Sequence, residues 1–281
     1  MNGLPLTRQL QHQIDWRIAC LKLDDMKNFM VERKKRMNVE KIKTTLNEMY
    51  VSIYKNCKFC EGCDAVNRKK EASIIHDCAV KIGTKYGEKL KVLIIGKESK
   101  SMHSETGETE SFETQNNQHY RRTYDILNYL INDISLDSYD GYHHVSENEL
   151  STLNAFFALT NHYHCSFGEN AHSKQSSNCM WYHCAEIVKK EIEILDPDII
   201  VIQAGWSAKK NTRKSDIERI IPTDNNKPEI CQNRIGLFSY DYCGRTVYVI
   251  GSYHPSYHLW HKDEYLGELK ERLKAVKHHM K

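Results

Sequence analysis

Four short runs of β-branched and aromatic residues, each closed by glycine or by polar side chains, constrain this chain more than any other feature. They are Lys91-Val-Leu-Ile-Ile-Gly96, Leu153-Asn-Ala-Phe-Phe-Ala-Leu-Thr160, Asp198-Ile-Ile-Val-Ile-Gln-Ala-Gly205 and Val247-Tyr-Val-Ile250, the last followed by Gly251 and Ser252. Runs of this length and composition suit buried strands. Between them, residues 119–130 and 180–195 carry apolar residues at helical spacing, and Asp196-Pro197 stops the second helix. Residues 259–281 close the chain as a basic helix, and the mixed, polar residues 209–244 read as an insertion before the last strand. Strands alternating with helices predict an α/β fold, here a three-layer α/β/α sandwich around a central four-stranded, mostly parallel sheet.

The polar residues after these strands matter most. In an open parallel sheet, ligand crevices form beyond the carboxyl ends of the strands. Glu98 follows the first run within Lys97-Glu-Ser99-Lys100-Ser101, Asn161 follows the second, and His254 follows the fourth within Tyr253-His-Pro-Ser256. A His held stiffly by the following Pro can polarise a leaving group, while an adjacent Ser and backbone amides grip a phosphate. The plainer alternatives are a strand–turn–helix junction with a surface His, a solvated loop carboxylate at Glu98 and a strand-end cap at Asn161. Convergence of the three clusters in one crevice is the central expectation.

Composition narrows the class. At 281 residues the chain suits one large domain or one domain with an extension, and 40% hydrophobic residues supply a core. Residues 7–55 read as amphipathic helices, giving an N-terminal helical extension over 1–55 and an α/β domain over 56–281. The net charge of +3 does not announce a nucleic-acid binder. Basic runs at Arg33–Arg36, Arg68–Lys70 and Lys209–Lys214 suit a solvated helix face as well as a phosphate backbone. No run of about 18 apolar residues exists, and Met1–Gln13 lacks the apolar core of a signal peptide. A cytoplasmic chain without membrane contact is expected.

Ten cysteines in a reducing compartment are better metal ligands than disulfide partners. Asn56-Cys-Lys-Phe-Cys-Glu-Gly-Cys63 places three thiols at two-residue gaps, and Cys78 follows. Such spacing lets them converge on one metal, and zinc held by Cys57, Cys60, Cys63 and Cys78 is the local possibility.

Taken together, these residues resemble the uracil-DNA glycosylase superfamily, nearest its iron–sulfur branches (families 4 and 5). Thr160-Asn161-His-Tyr-His-Cys165 falls on their Thr-Asn-x-x-x-Cys segment, and Cys184, before Leu195 and Pro197, on their helix-borne cluster cysteine. Ile199–Ala208 resembles their strand followed by Gly-x-x-Ala, and Tyr253-His-Pro-Ser256 matches their Tyr-His-Pro-Ser. The first motif departs from the usual forms: Gly96-Lys-Glu-Ser-Lys100 carries no proline. The segment that narrows a uracil pocket is absent, and Gln118-His-Tyr-Arg121 stands near its place.

The resemblance implies a monofunctional DNA glycosylase that hydrolyses the N-glycosidic bond of a flipped-out uracil or modified pyrimidine and leaves an abasic site. A repair enzyme and an anti-phage defence enzyme acting on hypermodified cytosine both fit, and a catalytically inactive DNA-binding protein is the alternative. Glu98 takes the water-orienting, cation-stabilising role and His254 the leaving-base role. Asn161 suits reading a pyrimidine edge. Ser99, Lys100 and Ser256 suit phosphates, Tyr257 and His258 the gap left by the flipped nucleotide, and Tyr120 stacking on the extruded base. The resemblance also implies a structural [4Fe-4S] cluster held by Cys165, Cys184 and two of Cys57, Cys60 and Cys63, in a monomer that binds DNA.

Overall fold

The computed structural model describes residues 38–55, 74–76, 80–96, 118–136, 147–162, 164–167, 178–203, 220–221, 236–252, 255 and 263–280. Val39–Lys281 cluster as one compact unit and Met1–Asn38 as another, of which only Asn38 is described. The first described helix, α1 (Val39–Lys55), lies within the stretch read as an extension and belongs to the larger unit. Its Leu46 and Tyr50 are buried.

Six strands form the main sheet in the order β2-β4-β3-β6-β8-β7. They are β2 (Lys81–Ile82), β3 (Val92–Gly96), β4 (Phe157–Asn161), β6 (Ile199–Ile202), β7 (Gly236–Tyr242) and β8 (Arg245–Gly251). The expectation of four strands is corrected. The four foreseen strands are the parallel centre β4-β3-β6-β8, and an antiparallel strand is added at each edge. A separate antiparallel pair joins β1 (Ile74–His76) to β5 (Cys165–Phe167).

Two boundaries also move. Residues 147–154 form a helix, α3 (Glu147–Asn154), so the second strand starts at Phe157 rather than Leu153. β7 occupies the end of the stretch read as a polar insertion. Its alternation of buried and more exposed residues is a period-2 signal, and Cys243 and Gly244, with φ of 51° and 75°, supply the tight turn into β8. Cysteine is an unusual residue for the first of two left-handed positions, which is why Tyr242-Cys-Gly-Arg245 does not announce a hairpin as Asn-Gly would.

Strand alternation divides the sheet's two faces. On one, Val92, Ile94, Phe157, Ile199, Val201 and Ile250 join a single apolar cluster with Ile126, Leu127 and Leu130 of α2 (Gln118–Asn132) and Leu266, Leu269 and Leu273 of α5 (Asp263–His279). Each such side chain contributes about 1.5–3 kcal/mol on burial. On the other face, Thr160 meets α4 (Asn178–Leu195), which packs against α1. Helices therefore cover both faces. α4 ends where Asp196 takes a left-handed conformation, φ 49°, ahead of Pro197.

Candidate active site

The register of the parallel strands defines the site. Gly96 pairs with Asn161, Ile95 with Ile202, and Ile202 with Gly251. One residue beyond those last pairs, the ladder continues through Gln203 N–H to Ile95 O at 2.8 Å and Ser252 N–H to Ile202 O at 2.8 Å. The result is a row across the carboxyl ends of the centre strands, in spatial order Asn161, Gly96, Gln203, Ser252. All four share the face of Ile94, Leu159, Val201 and Ile250, two residues before them in their strands. β3 is also where the order of the parallel strands reverses, since β4 lies on one side of it and β6 on the other. Such a switch point is where open α/β sheets take ligands.

Gly96 is the low point of the row. A Cβ there would stand 2.5 Å from Asn161 Oδ1, so the Asn161 carboxamide lies over the glycine backbone. Residues at the amino end of α2 overlook the same edge. Thr123 donates its hydroxyl to Gln203 Oε1 at 2.9 Å, and Arg122 Nη1 donates to the carbonyl oxygen of Pro255. Gln203, Ser252, Arg122 and Thr123 are all buried. Arg122 thereby ties α2 to the proline of the His-Pro-Ser loop.

Gln203 combines deep burial with an amide donor left over. It is 1% exposed, and its Nε2 has no hydrogen-bond partner among the described residues. An unpaired buried amide donor costs about 1–3 kcal/mol, so a purely structural position would favour an apolar residue.

Behind the row, on the opposite face, lies a buried polar network. Glu191 of α4 accepts from Thr160 Oγ1 at 2.7 Å and from the Tyr50 hydroxyl of α1, and its Oε1 is 3.3 Å from His164 Nε2. The Tyr50 oxygen in turn accepts from Val80 N–H at 3.0 Å. Glu191 and His164 are both fully buried. With each carboxylate oxygen hydrogen-bonded, the network fixes β4 and the residues after it against α4 and α1. His164 N–H also donates to Cys184 Sγ at 3.3 Å. Since Cys165 is the next residue, the Cys184 sulfur lies against the backbone one residue before a second expected cluster cysteine.

Of the residues expected at the site, Asn161 lies at the row and Cys184 in the network. Cys165 begins β5 opposite His76 of β1, and Tyr120 lies in the first turn of α2. Glu98, Ser99, Lys100, His254, Ser256, Tyr257, His258, Cys57, Cys60 and Cys63 lie outside the described residues. Sequence reasoning missed Arg122, Thr123, Gln203 and Ser252. The one available signal was Gln203, a polar residue directly after four uninterrupted apolar ones.

Fold and row together define an α/β protein with its ligand edge at the sheet's switch point. Within that class the chain belongs to the Uracil DNA glycosylase superfamily, whose family model matches residues 84–277. That span contains the four parallel strands and the row across their ends. Membership carries DNA glycosylase activity in general, a hydrolase chemistry acting on DNA. No curated protein matches the chain. Among the described residues, no helix is long and apolar enough to cross a membrane.

Proposed function

We propose that this chain is a monofunctional DNA glycosylase that flips a uracil or a modified pyrimidine out of DNA and hydrolyses its N-glycosidic bond. The observation that carries this reading is the row Asn161–Gly96–Gln203–Ser252, with Arg122 holding the Pro255 carbonyl beside it. Two carboxamides on strands flanking a glycine, one of them reaching over it, offer donors and acceptors of the kind the edge of a flat base requires. Glu98 follows Gly96 by two residues, and His254 follows Ser252 by two. Glu98 stabilises the oxocarbenium-like sugar and orients water, and His254 stabilises the departing base.

The cysteine and Tyr-His-Pro-Ser motifs read in the sequence resemble the iron–sulfur branches of the superfamily. The residues present fit a cluster: Cys184 is 1% exposed, its sulfur accepts a backbone N–H, and it lies beside the residue preceding Cys165. The β1–β5 pairing also brings the chain that follows Cys57, Cys60 and Cys63 back to Cys165. Thiolates in such a setting hold iron–sulfur clusters, whose sulfurs are tuned by hydrogen bonds. The cluster's role here is structural, because hydrolysis needs no electron transfer. Iron and acid-labile sulfide in anaerobically purified protein, with absorption in the visible, are the expected result. A colourless, zinc-containing protein would assign the cysteines to zinc.

Mass spectrometry of bases released from uracil-containing DNA, deaminated DNA and phage DNA with hypermodified cytosines tests the activity. Release of uracil makes this a repair enzyme, and release of a modified cytosine alone makes it a defence enzyme. Glu98→Gln and His254→Ala should each abolish release while leaving DNA binding intact. Salt-sensitive DNA binding without release from any substrate would instead identify an inactive DNA-binding protein.

A further inference from the structure

Gln203 carries a buried amide donor that the fold does not explain. Its backbone N–H completes the ladder to Ile95 O, and its Oε1 accepts the Thr123 hydroxyl, yet its Nε2 has no partner among the described residues although the side chain is 1% exposed. Its β6 neighbours Ile199 to Ile202 are all buried and apolar, so a leucine here would extend them. The bond from Thr123 also holds the carboxamide in place. With Oε1 occupied, Nε2 is the group left to face a ligand.

The position is as informative as the bonding. Gln203 flanks Gly96 on the β6 side as Asn161 flanks it on the β4 side. Adjacent strands lie about 4.8 Å apart, so the two carboxamides start from backbones about 10 Å apart with only a glycine between them. That interval suits the edge of one flat heterocycle contacted by both amides, beyond the Asn161 carboxamide that covers Gly96.

We propose that Gln203 is a specificity-determining residue, donating its Nε2–H to a ring carbonyl oxygen of the extruded pyrimidine from the side opposite Asn161. Thr123 is a positioning residue that acts through it. A fixed donor favours a carbonyl at that edge and leaves an exocyclic amino group facing another donor. A site built around a hydrogen bond rejects substrates that cannot complete it more strongly than an apolar pocket can. This inference rests on the glycosylase reading above.

The test compares wild type, Gln203→Leu, Gln203→Glu and Thr123→Val on duplex oligonucleotides carrying uracil or 5-hydroxymethylcytosine, reading released base by mass spectrometry alongside the melting temperature. Leucine should keep or raise the melting temperature while lowering kcat/KM on the released base about 10–100-fold. Glutamate should lower it at least as far, because a carboxylate cannot donate. Thr123→Val should narrow the preference between the two bases by several-fold with kcat nearly unchanged, a split that loss of packing alone would not produce. Unchanged kcat/KM in Gln203→Leu against an active wild type would overturn the role of Gln203 and leave the glycosylase reading standing. A folded wild type that releases no base from either duplex or from hypermodified phage DNA would overturn both.

Discussion

The two edges of the parallel sheet treat their polar groups in opposite ways. At the amino edge, where β3, β6 and β8 begin, Lys91, Asp196, Asp198 and Arg245 pair their charges with one another, although Arg245 Nε has no partner among the described residues. Arg245 Nη1 donates to Asp198 Oδ1 at 2.6 Å and Nη2 donates to Asp196, while Lys91 Nζ lies 3.0 Å from Asp196 Oδ2. Asp198 Oδ2 accepts Lys91 N–H at 2.9 Å. Two cations face two anions, each partly exposed, and the charges cancel. At the carboxyl edge the row itself carries no charged side chain, and the buried Gln203 Nε2 has no partner among the described residues. A closed network serves the fold, because none of its charge is left for a ligand. An open one serves chemistry, because its remaining donors acquire partners only when something binds.

The sharpest way to break this contrast is a methyl group at the carboxyl edge. Gly96→Ala sets a Cβ 2.5 Å from Asn161 Oδ1 and displaces that carboxamide, the far end of a flexible side chain. A displacement of about 1 Å in a reacting geometry costs on the order of 100-fold. We expect kcat/KM for base release to fall about 10–100-fold with the melting temperature nearly unchanged. A large loss of stability with normal turnover would mean that the edge is structural after all.

The converse experiment is Arg245→Leu, which opens the closed network. Leaving Asp196 and Asp198 without their shared cation should cost about 2 kcal/mol, between the values of exposed and fully buried pairs. The urea midpoint reports it, and kcat should hold. Lost activity at full stability would show that the two edges are coupled.

The smallest effect concerns pH. Tyr86, beside the amino edge, donates to the Leu195 carbonyl at 3.3 Å. Burial, and then the Asp198 and Asp196 carboxylates, raise its hydroxyl well above the ordinary tyrosine range. The folded state therefore holds this proton more tightly than the unfolded chain does. Its contribution is complete below about pH 10, the unfolded value, and is lost as pH rises beyond it. Tyr86→Phe should lower stability by about 1 kcal/mol at neutral pH, with the gap to wild type closing above pH 10. A gap that widens there would overturn the assignment. Tyr242, raised to about 12 chiefly by burial, adds a background slope common to both proteins.

Much of the fold was legible because its centre is made of buried parallel strands, which must be apolar throughout. β3 and β6 stand out for that reason. The edge strands were not legible, since β2 is only two residues long and β7 hides its alternation inside a polar stretch. The start of the second strand was misplaced because Leu153 and Phe156 are buried from a helix and a bend, and apolar content alone does not distinguish them from strand residues. At the site, Asn161 and Cys184 could be singled out by their motifs. Glu191 gave no warning: a glutamate on a helix reads as solvated, and only the packing of α1 against α4 encloses it.

By itself, then, the sequence determined the four centre strands, their alternation with helices, the membership of the superfamily and the motif residues at the strand ends, because each follows from local composition or short spacing. Tertiary structure decided which strand ends stand side by side. Register is a relation between segments far apart in the chain: Gly96, Asn161, Gln203 and Ser252 become one row only when β4, β3, β6 and β8 are paired in that order. The same pairing leaves the Gln203 amide buried with a donor to offer, a property no single segment contains.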